Sequence, residues 1–270
     1  EIPRGEQALS RMEGFYAEAG TIPVAGLDAL IITGAEPLEA DMRRERYWTA
    51  LAQLIDWAGT GTVSTIFSCL AAHAAVLHLS NIARRKLSGK LSGVFTAQRA
   101  GDHPLATGMA PAVAVPHSRL NTLSEAELTA AGYRVLARLE DGDVDSFIRA
   151  VPGQSLLVFL QGHPEYSAET LGREYLRDTG RFLRGERENP PAIPENYFDR
   201  ATEMALEAFA GSRQTDDLAR YTKIVSGALP LQSWRGHTIK LFGNWLALIA
   251  AEKNRRLGQN RSQARKKLRA

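Results

Sequence analysis

The chain has 270 residues, 44% of them apolar and 23% charged, the balance of an ordinary globular protein with enough apolar content for one large core. Its single cysteine, Cys69, excludes an internal disulfide framework and a multi-cysteine zinc cluster, and no apolar run approaches the roughly 18 residues needed to span a bilayer. The formal charge of +3 is unevenly placed, because residues 253–270 carry eight cations and no acid and leave the rest of the chain at −5. Such a segment is expected to be a solvated, disordered tail behind a single domain spanning 1–252. No aromatic residue is interleaved with its cations, so a nucleic-acid partner is not favoured. No signal peptide is visible, and a reducing cytoplasm is the expected compartment.

In chain order, a short helix is predicted around Gln7–Glu18. The nearly continuous apolar run Leu27–Thr33, ended by Gly34, has the pattern of a strand buried on both faces. A polar loop, 35–46, leads to a helix over about Glu45–Ala58, with Trp48, Leu51, Leu54 and Ile55 on one face and Gly59 and Gly61 beyond its end. Val63–Phe67 then reads as a strand that feeds directly into a helix from Leu70 to Leu79. Further strands are predicted over Lys90–Thr96 and Ala112–Val115. Ser124 and Glu127 have the spacing of a capping box at a short helix. Tyr133–Leu139 and Asp145–Val151 flank the turn signal Asp141-Gly142-Asp143. Ser155–Leu160 is another apolar strand, followed by a helix over Ala168–Leu183. After the break at Asn189–Pro194 the chain reads as helix and loop. Alternating strands and helices predict an α/β fold: a mixed, mainly parallel sheet flanked by helices, with a helical C-terminal region.

The chemistry gathers at two strand ends. Cys69 falls at the turn between a strand and a helix, beside free backbone N–H groups and the positive end of a helix dipole, both of which favour a thiolate. A lone cysteine is more often a small buried hydrophobe, so a nucleophile needs a base from elsewhere. The strand ending at Leu160 delivers Gln161-Gly162-His163-Pro164-Glu165-Tyr166. The proline holds His163 extended, and residues two apart in extended chain face the same way, so Glu165 can orient the His163 imidazole. In open α/β sheets, sites form at the carboxyl ends of parallel strands. Cys69, His163 and Glu165 thus have the roles of nucleophile, base and orienting acid. His73, four residues after Cys69, has no accompanying ligand cluster, and no metal site is expected. Trp234, Phe242 and Trp245 read as core.

Cys69 with Gly162–Tyr166 resembles the site of class I glutamine amidotransferases, although Ser68 and Leu70 stand where glycines normally flank that cysteine. A closer resemblance is to the homoserine O-succinyltransferase/O-acetyltransferase family, which shares that flavodoxin-like fold. It is carried by Leu30–Ala35, Tyr47-Trp48, Ser64-Thr65, Cys69, Lys90–Phe95, Pro116–Arg119, Gly162–Tyr166, Glu174-Tyr175 with Arg177-Asp178, Asn196–Phe198 and Phe242–Leu246, in order over about 27–247. The resemblance implies that Cys69 carries an acyl thioester, with His163 as general base and Glu165 as its partner. Lys90, Ser118 and Arg177 then contact the amino-acid substrate, as suits a guanidinium and an α-carboxylate. It further implies acyl-CoA as co-substrate with no tightly bound cofactor, L-homoserine as acceptor, a homodimer, and a place in methionine biosynthesis. Two departures stand out. Family members begin with a strand ending in Met-Pro, ahead of the stretch that aligns with residue 1. Acyl choice in the family depends on a loop position that is Glu in acetyl-transferring and Gly in succinyl-transferring members, and counting places Leu38 there, with Glu39 beside it. An amidohydrolase or glutaminase using the same three residues on water, and a non-catalytic relative acting through the basic tail, are the alternative readings.

Overall fold

The fold is built on one sheet, seen in a computed structural model that describes residues 6–17, 20–22, 26–208, 217–228 and 232–267. Its strands are β1 (Ala29–Thr33), β2 (Ser64–Ser68), β3 (Arg85–Arg99), β4 (Ala112–Thr122), β5 (Arg134–Leu139), β6 (Val144–Arg149) and β7 (Leu156–Leu160). Among the described residues they lie in the order β1-β2-β7-β6-β5-β3-β4. The helices are α1 (Glu6–Met12), α2 (Trp48–Gly61), α3 (Leu70–Ser80), α4 (Glu125–Ala130), α5 (Thr170–Leu183), α6 (Arg200–Glu207), α7 (Asp217–Gly227) and α8 (Arg235–Lys267).

The sheet is mixed, as expected, but it is not mainly parallel: only β1, β2 and β7 run parallel, and the pairings β7–β6, β6–β5, β5–β3 and β3–β4 are all antiparallel. The reason lies in the connections. Parallel neighbours need a crossover, and α2 supplies one between β1 and β2, whereas β5–β6 and β6–β7 are joined by segments too short for anything but a reversal. A second correction concerns β1. Among the described residues it is an edge strand, with Ile31 47% exposed, and not a strand buried on both faces. An unbroken apolar run does not reveal whether both of its neighbours exist.

Aromatic packing follows the register. Phe67 pairs with Phe159 and Phe159 with Phe147 across β2, β7 and β6, and their rings stack at 5.2 and 4.8 Å. This face is covered by Ile55 and Ala58 of α2 and by Ala71, Ala72, Ala75 and Val76 of α3. The short side chains of α3 let that helix lie close against the sheet. On the opposite face, Trp245 and Ile249 of α8 pack on Ile66, Val158 and Leu160, and Trp245 Nε1 donates to Ser64 Oγ at 2.8 Å. The C-terminal helices form a third cluster with α5 around Tyr175, Phe198, Tyr221 and Trp234.

The basic segment is also not as expected. α8 runs without a break through 252 to Lys267, so residues 253–267 are helical. Glu252 accepts from Arg255 and Arg256 at 2.6 and 2.9 Å, at i,i+3 and i,i+4 spacings that suit a helix and that a count of cations alone does not register, and Lys253 pairs with the distant Asp28. The capping box is present only as a pattern, since α4 starts where expected but the Ser124 side chain makes no capping bond.

Candidate active site

The parallel register sets the site. Thr33 pairs with Ser68, and Ser68 with Leu160, so the next residues of all three strands emerge side by side: Gly34, Cys69 and the Gln161–His163 stretch. Cys69 has φ 53° and ψ −118°. That is a left-handed backbone for a residue bearing a Cβ, which costs on the order of 1–3 kcal/mol and lifts the side chain out of the turn. The strain is held from both sides, because Cys69 N–H donates to Leu160 O at 2.8 Å and Cys69 O accepts from Ala72 N–H at 3.0 Å. Gly34 closes over this turn so tightly that a Cβ there would lie 2.4 Å from Leu70 Cβ and 2.9 Å from Leu70 N. Only glycine fits, and the first amide of α3 is left beside the sulfur.

His163 is buried, and its Nδ1 lies 2.8 Å from Glu165 Oε1. The Cys69 side chain is near enough to the same imidazole to favour its charged form. Burial works against its charge, but the hydrogen bonds and charges of Cys69 and Glu165 outweigh burial and push His163 up to about 10. Tyr166 stacks on the imidazole at 4.1 Å and 17°. The backbone of this loop is pinned by His163 N–H to Pro116 O (2.7 Å), Thr238 Oγ1–H to Pro164 O (2.6 Å) and Trp234 Nε1–H to Tyr166 O (2.9 Å). Three elements, β4, the turn before α8 and α8 itself, therefore fix the loop that carries the imidazole.

Cys69, His163 and Glu165, read from separate parts of the sequence, stand together. Ser68 joins them, donating to Glu165 Oε1 at 3.3 Å. Sequence reasoning noted Ser68 only as a missing glycine, and the hydroxyl beside the nucleophile was the available signal.

Lys90, Ser118 and Arg177 also share one place, around two carboxylates of α5. Ser118 Oγ donates to Glu174 Oε2, and Tyr166 Oη donates to Glu174 Oε1 at 2.8 Å. Lys90 Nζ lies 2.8 Å from Asp178 and 3.9 Å from Glu174, and Arg177 Nε donates to Asp178 Oδ1 at 3.0 Å. Burial raises Asp178, yet Lys90 and Arg177 hold it below the ordinary carboxylate range. In the sequence Glu174 and Asp178 stand only among the stretches that carry the family resemblance, with no role at the site. Their i, i+4 spacing on a helix next to Arg177 was the signal. Tyr166, stacked on His163 and bonded to Glu174, joins the two groups.

Leu38 and Glu39 take part through their backbones. Leu38 is 90% exposed, and the amides of both residues donate to Glu45 Oε1 at 2.6 and 2.7 Å. The same loop is tied to α5 by a bidentate pair, Arg181 to Glu36, at 2.8 and 2.9 Å. His117 and Arg119 alternate with Ser118 along β4 and face away from it. His117 is fully buried between Asp145 (3.1 Å) and Arg119 (3.2 Å). His73 bonds Gln161 at 2.8 Å, and burial lowers it to about 4. It is a neutral strut on the helix that follows Cys69.

A family model described as homoserine O-succinyltransferase matches residues 2–255. A homoserine O-succinyltransferase of Methylorubrum extorquens is 48% identical over 253 residues, covering 92% of this chain and 76% of that protein. Proteins of the same name from Rhodopseudomonas palustris and Bradyrhizobium japonicum are 45% and 43% identical, covering 93% and 92% of this chain and 76% and 77% of their own lengths. Among solved structures, a glutamine amidotransferase from Methylobacillus flagellatus aligns at a TM-score of 0.49 and 16% identity over 89% of this chain and 82% of that one. With the matched model spanning nearly the whole chain and these relatives following it at such identity, the chain belongs to the homoserine O-succinyltransferase family.

Proposed function

We propose that the protein transfers an acyl group, succinyl in the first instance, from an acyl-CoA to the hydroxyl of L-homoserine through a thioester on Cys69. The observation that carries this reading is the grouping of Cys69, His163 and Glu165 at the strained turn, with the imidazole hydrogen-bonded to Glu165 and its charge favoured by the neighbouring Cys69. The sulfur attacks the thioester carbonyl, and the Leu70 N–H stabilises the oxyanion. As the tetrahedral intermediate collapses, the imidazolium protonates the departing CoA thiolate. His163, now neutral, takes the proton of the homoserine hydroxyl as its oxygen attacks the acyl-enzyme, and collapse releases O-acyl-L-homoserine and restores the Cys69–His163 pair. Glu165 keeps the imidazole oriented through both steps.

The cluster on α5 supports the choice of an amino acid as acceptor. Arg177 can take an α-carboxylate, Glu174 an α-ammonium, and Ser118 and Lys90 hold that carboxylate in place. The acyl-specificity role of the loop at Leu38 and Glu39 is part of the same proposal, exerted through the loop's path over the site. So are a homodimer and a cytoplasmic setting, in which a lone thiol stays reduced.

The test is exchange of labelled CoA into succinyl-CoA without homoserine, together with the mass of Cys69 after quenching. Exchange and a succinylated Cys69 are expected. Ammonia released from glutamine with no dependence on acyl-CoA would replace this reading with a glutaminase.

A further inference from the structure

The loop that carries His163 rests on a part of the fold that the mechanism does not use. Among the described residues β6 and β4 are not neighbours in the sheet, since β5 and β3 lie between them. The sheet curls enough to bring them together, and His117 Nε2 of β4 lies 3.1 Å from Asp145 Oδ1 of β6. The direction of that hydrogen bond follows from the other ring nitrogen. Arg119 Nε lies 3.2 Å from His117 Nδ1, and a guanidinium only donates, so Nδ1 accepts and the ring proton sits on Nε2, aimed at Asp145. Arg119 is in turn held by Asn121 O and Asp143 Oδ2, each at 2.9 Å. Burial keeps His117 below the ordinary histidine range, which favours this neutral form.

Residues 161–163 cross the closure between the two strands. Gln161 N–H donates to Asp145 O at 2.8 Å and His163 N–H to Pro116 O at 2.7 Å, so one end of the stretch is tied to β6 and the other to β4. Gly162 lies between these ties. A Cβ on it would stand 2.8 Å from His117 Nε2, 2.8 Å from Asp145 Oδ1 and 2.6 Å from Val115 Cγ1. Its backbone is not left-handed, so the demand for glycine comes from the hydrogen bond beneath it and not from its own torsion angles. The Gln161 side chain adds a tie to α3, its Oε1 accepting from His73 Nε2 at 2.8 Å.

We propose that His117 and Asp145 are positioning residues for the reaction: their hydrogen bond is the seat on which Gly162 lies, and it sets how His163 presents its imidazole to Cys69. This rests on the reading of Cys69 and His163 as nucleophile and base. The bond acts through its geometry and not through the charge of Asp145. A displaced Gly162 carries the next residue with it, and a misplacement of about 1 Å costs on the order of 10²-fold in rate.

The test pairs kcat with the pH dependence of Cys69 alkylation by iodoacetamide, read by intact mass. His117→Phe keeps a ring but cannot donate, Asp145→Ala cannot accept, and Asp145→Asn keeps an accepting oxygen. In His117→Phe and Asp145→Ala, kcat falls by about 10- to 100-fold while the KM for homoserine changes by less than about threefold. The alkylation midpoint rises in both toward that of an unassisted thiol, about 8.5. Asp145→Asn keeps the wild-type midpoint and a kcat within about threefold of wild type. Gly162→Ala, which lifts the loop off its seat, behaves like His117→Phe. A general role in folding would lower the amount of active protein and leave the midpoint in place, so an unmoved midpoint in His117→Phe overturns the proposal. An Asp145→Asn variant as impaired as Asp145→Ala assigns the effect to charge and also overturns it. If the wild type transfers no acyl group, the acyl-transfer reading falls, and the midpoints alone decide the positioning role. Should His117→Phe or Asp145→Ala fail to fold, Gly162→Ala and Asp145→Asn decide it.

Discussion

The two halves of the site are held in different ways. Around Cys69 and His163 the backbone does the positioning: parallel register, a left-handed turn, a hydrogen bond from the Cys69 N–H to Leu160 O, a loop N–H held by β4, and loop carbonyls held by α8 and the turn before it. Around Glu174 and Asp178 the work is done by side chains, in a network of Lys90, Ser118, Tyr166 and Arg177. Backbone positioning is rigid and tolerates little error, as bond making demands. A charged side-chain network can rearrange around a ligand. The teaching is that changes in the first half should register in kcat and changes in the second in KM.

The largest effect tests the first half directly. Cys69→Ala is expected to abolish the acyl-enzyme and lower turnover by on the order of 10⁴-fold or more, and His163→Asn by about 10²–10⁴-fold, in stopped assays with succinyl-CoA and homoserine. Next comes Glu165→Gln. A hydrogen bond to a charged group is worth about 1.5–3 kcal/mol, so a fall in kcat of about 10- to 100-fold with little change in KM is expected. NMR titration sharpens this result. His163 is raised to about 10, above its ordinary value near 6.5, so its contribution to stability is complete below about 6.5 and is lost as pH rises through about 10. Losing the Glu165 charge moves that loss to lower pH. His73, lowered to about 4, has the opposite sign: its contribution is complete above about 6.5 and is lost as pH falls toward about 4.

In the second half, Arg177→Met and Glu174→Gln are expected to raise the KM for homoserine by about tenfold, with kcat largely kept, in steady-state kinetics at saturating acyl-CoA. A fall in kcat as large as that of Glu165→Gln would erase the distinction between the halves. The smallest effect concerns the strain itself. Cys69→Gly is inactive but should be more stable than Cys69→Ala by about 1 kcal/mol in urea melts, because glycine accepts the left-handed turn. Equal stability would mean that the turn is not strained.

Much of this was legible in the chain. Apolar runs marked β1, β2 and β7, and the strand-to-helix junction at Cys69 and the His163-Pro164-Glu165 stretch named the candidate groups, although 163–166 form a turn closed by Tyr166 N–H to His163 O at 3.1 Å and not the extended chain expected. Their meeting depends only on which strands end beside one another, and alternating strands and helices suggest that. Ser68, Glu174 and Asp178 were not legible as site residues, since a serine and two helical carboxylates resemble any solvated surface until neighbours are assigned. Leu38 shows the reverse case: counting along a loop chose a position, while the loop's path is set by Glu45 and Glu36 and turns that side chain to solvent.

By itself, then, the sequence determined which groups are candidates for the chemistry and where most helices and strands fall, because periodicity and turn chemistry are local and survive without a fold. Tertiary structure alone decided the strand directions beyond β7, the exposure of β1, the helical course of α8 past residue 252 and the company kept by each charge. Those depend on which segments become neighbours, and electrostatic and packing energies are properties of pairs that the order of residues does not contain.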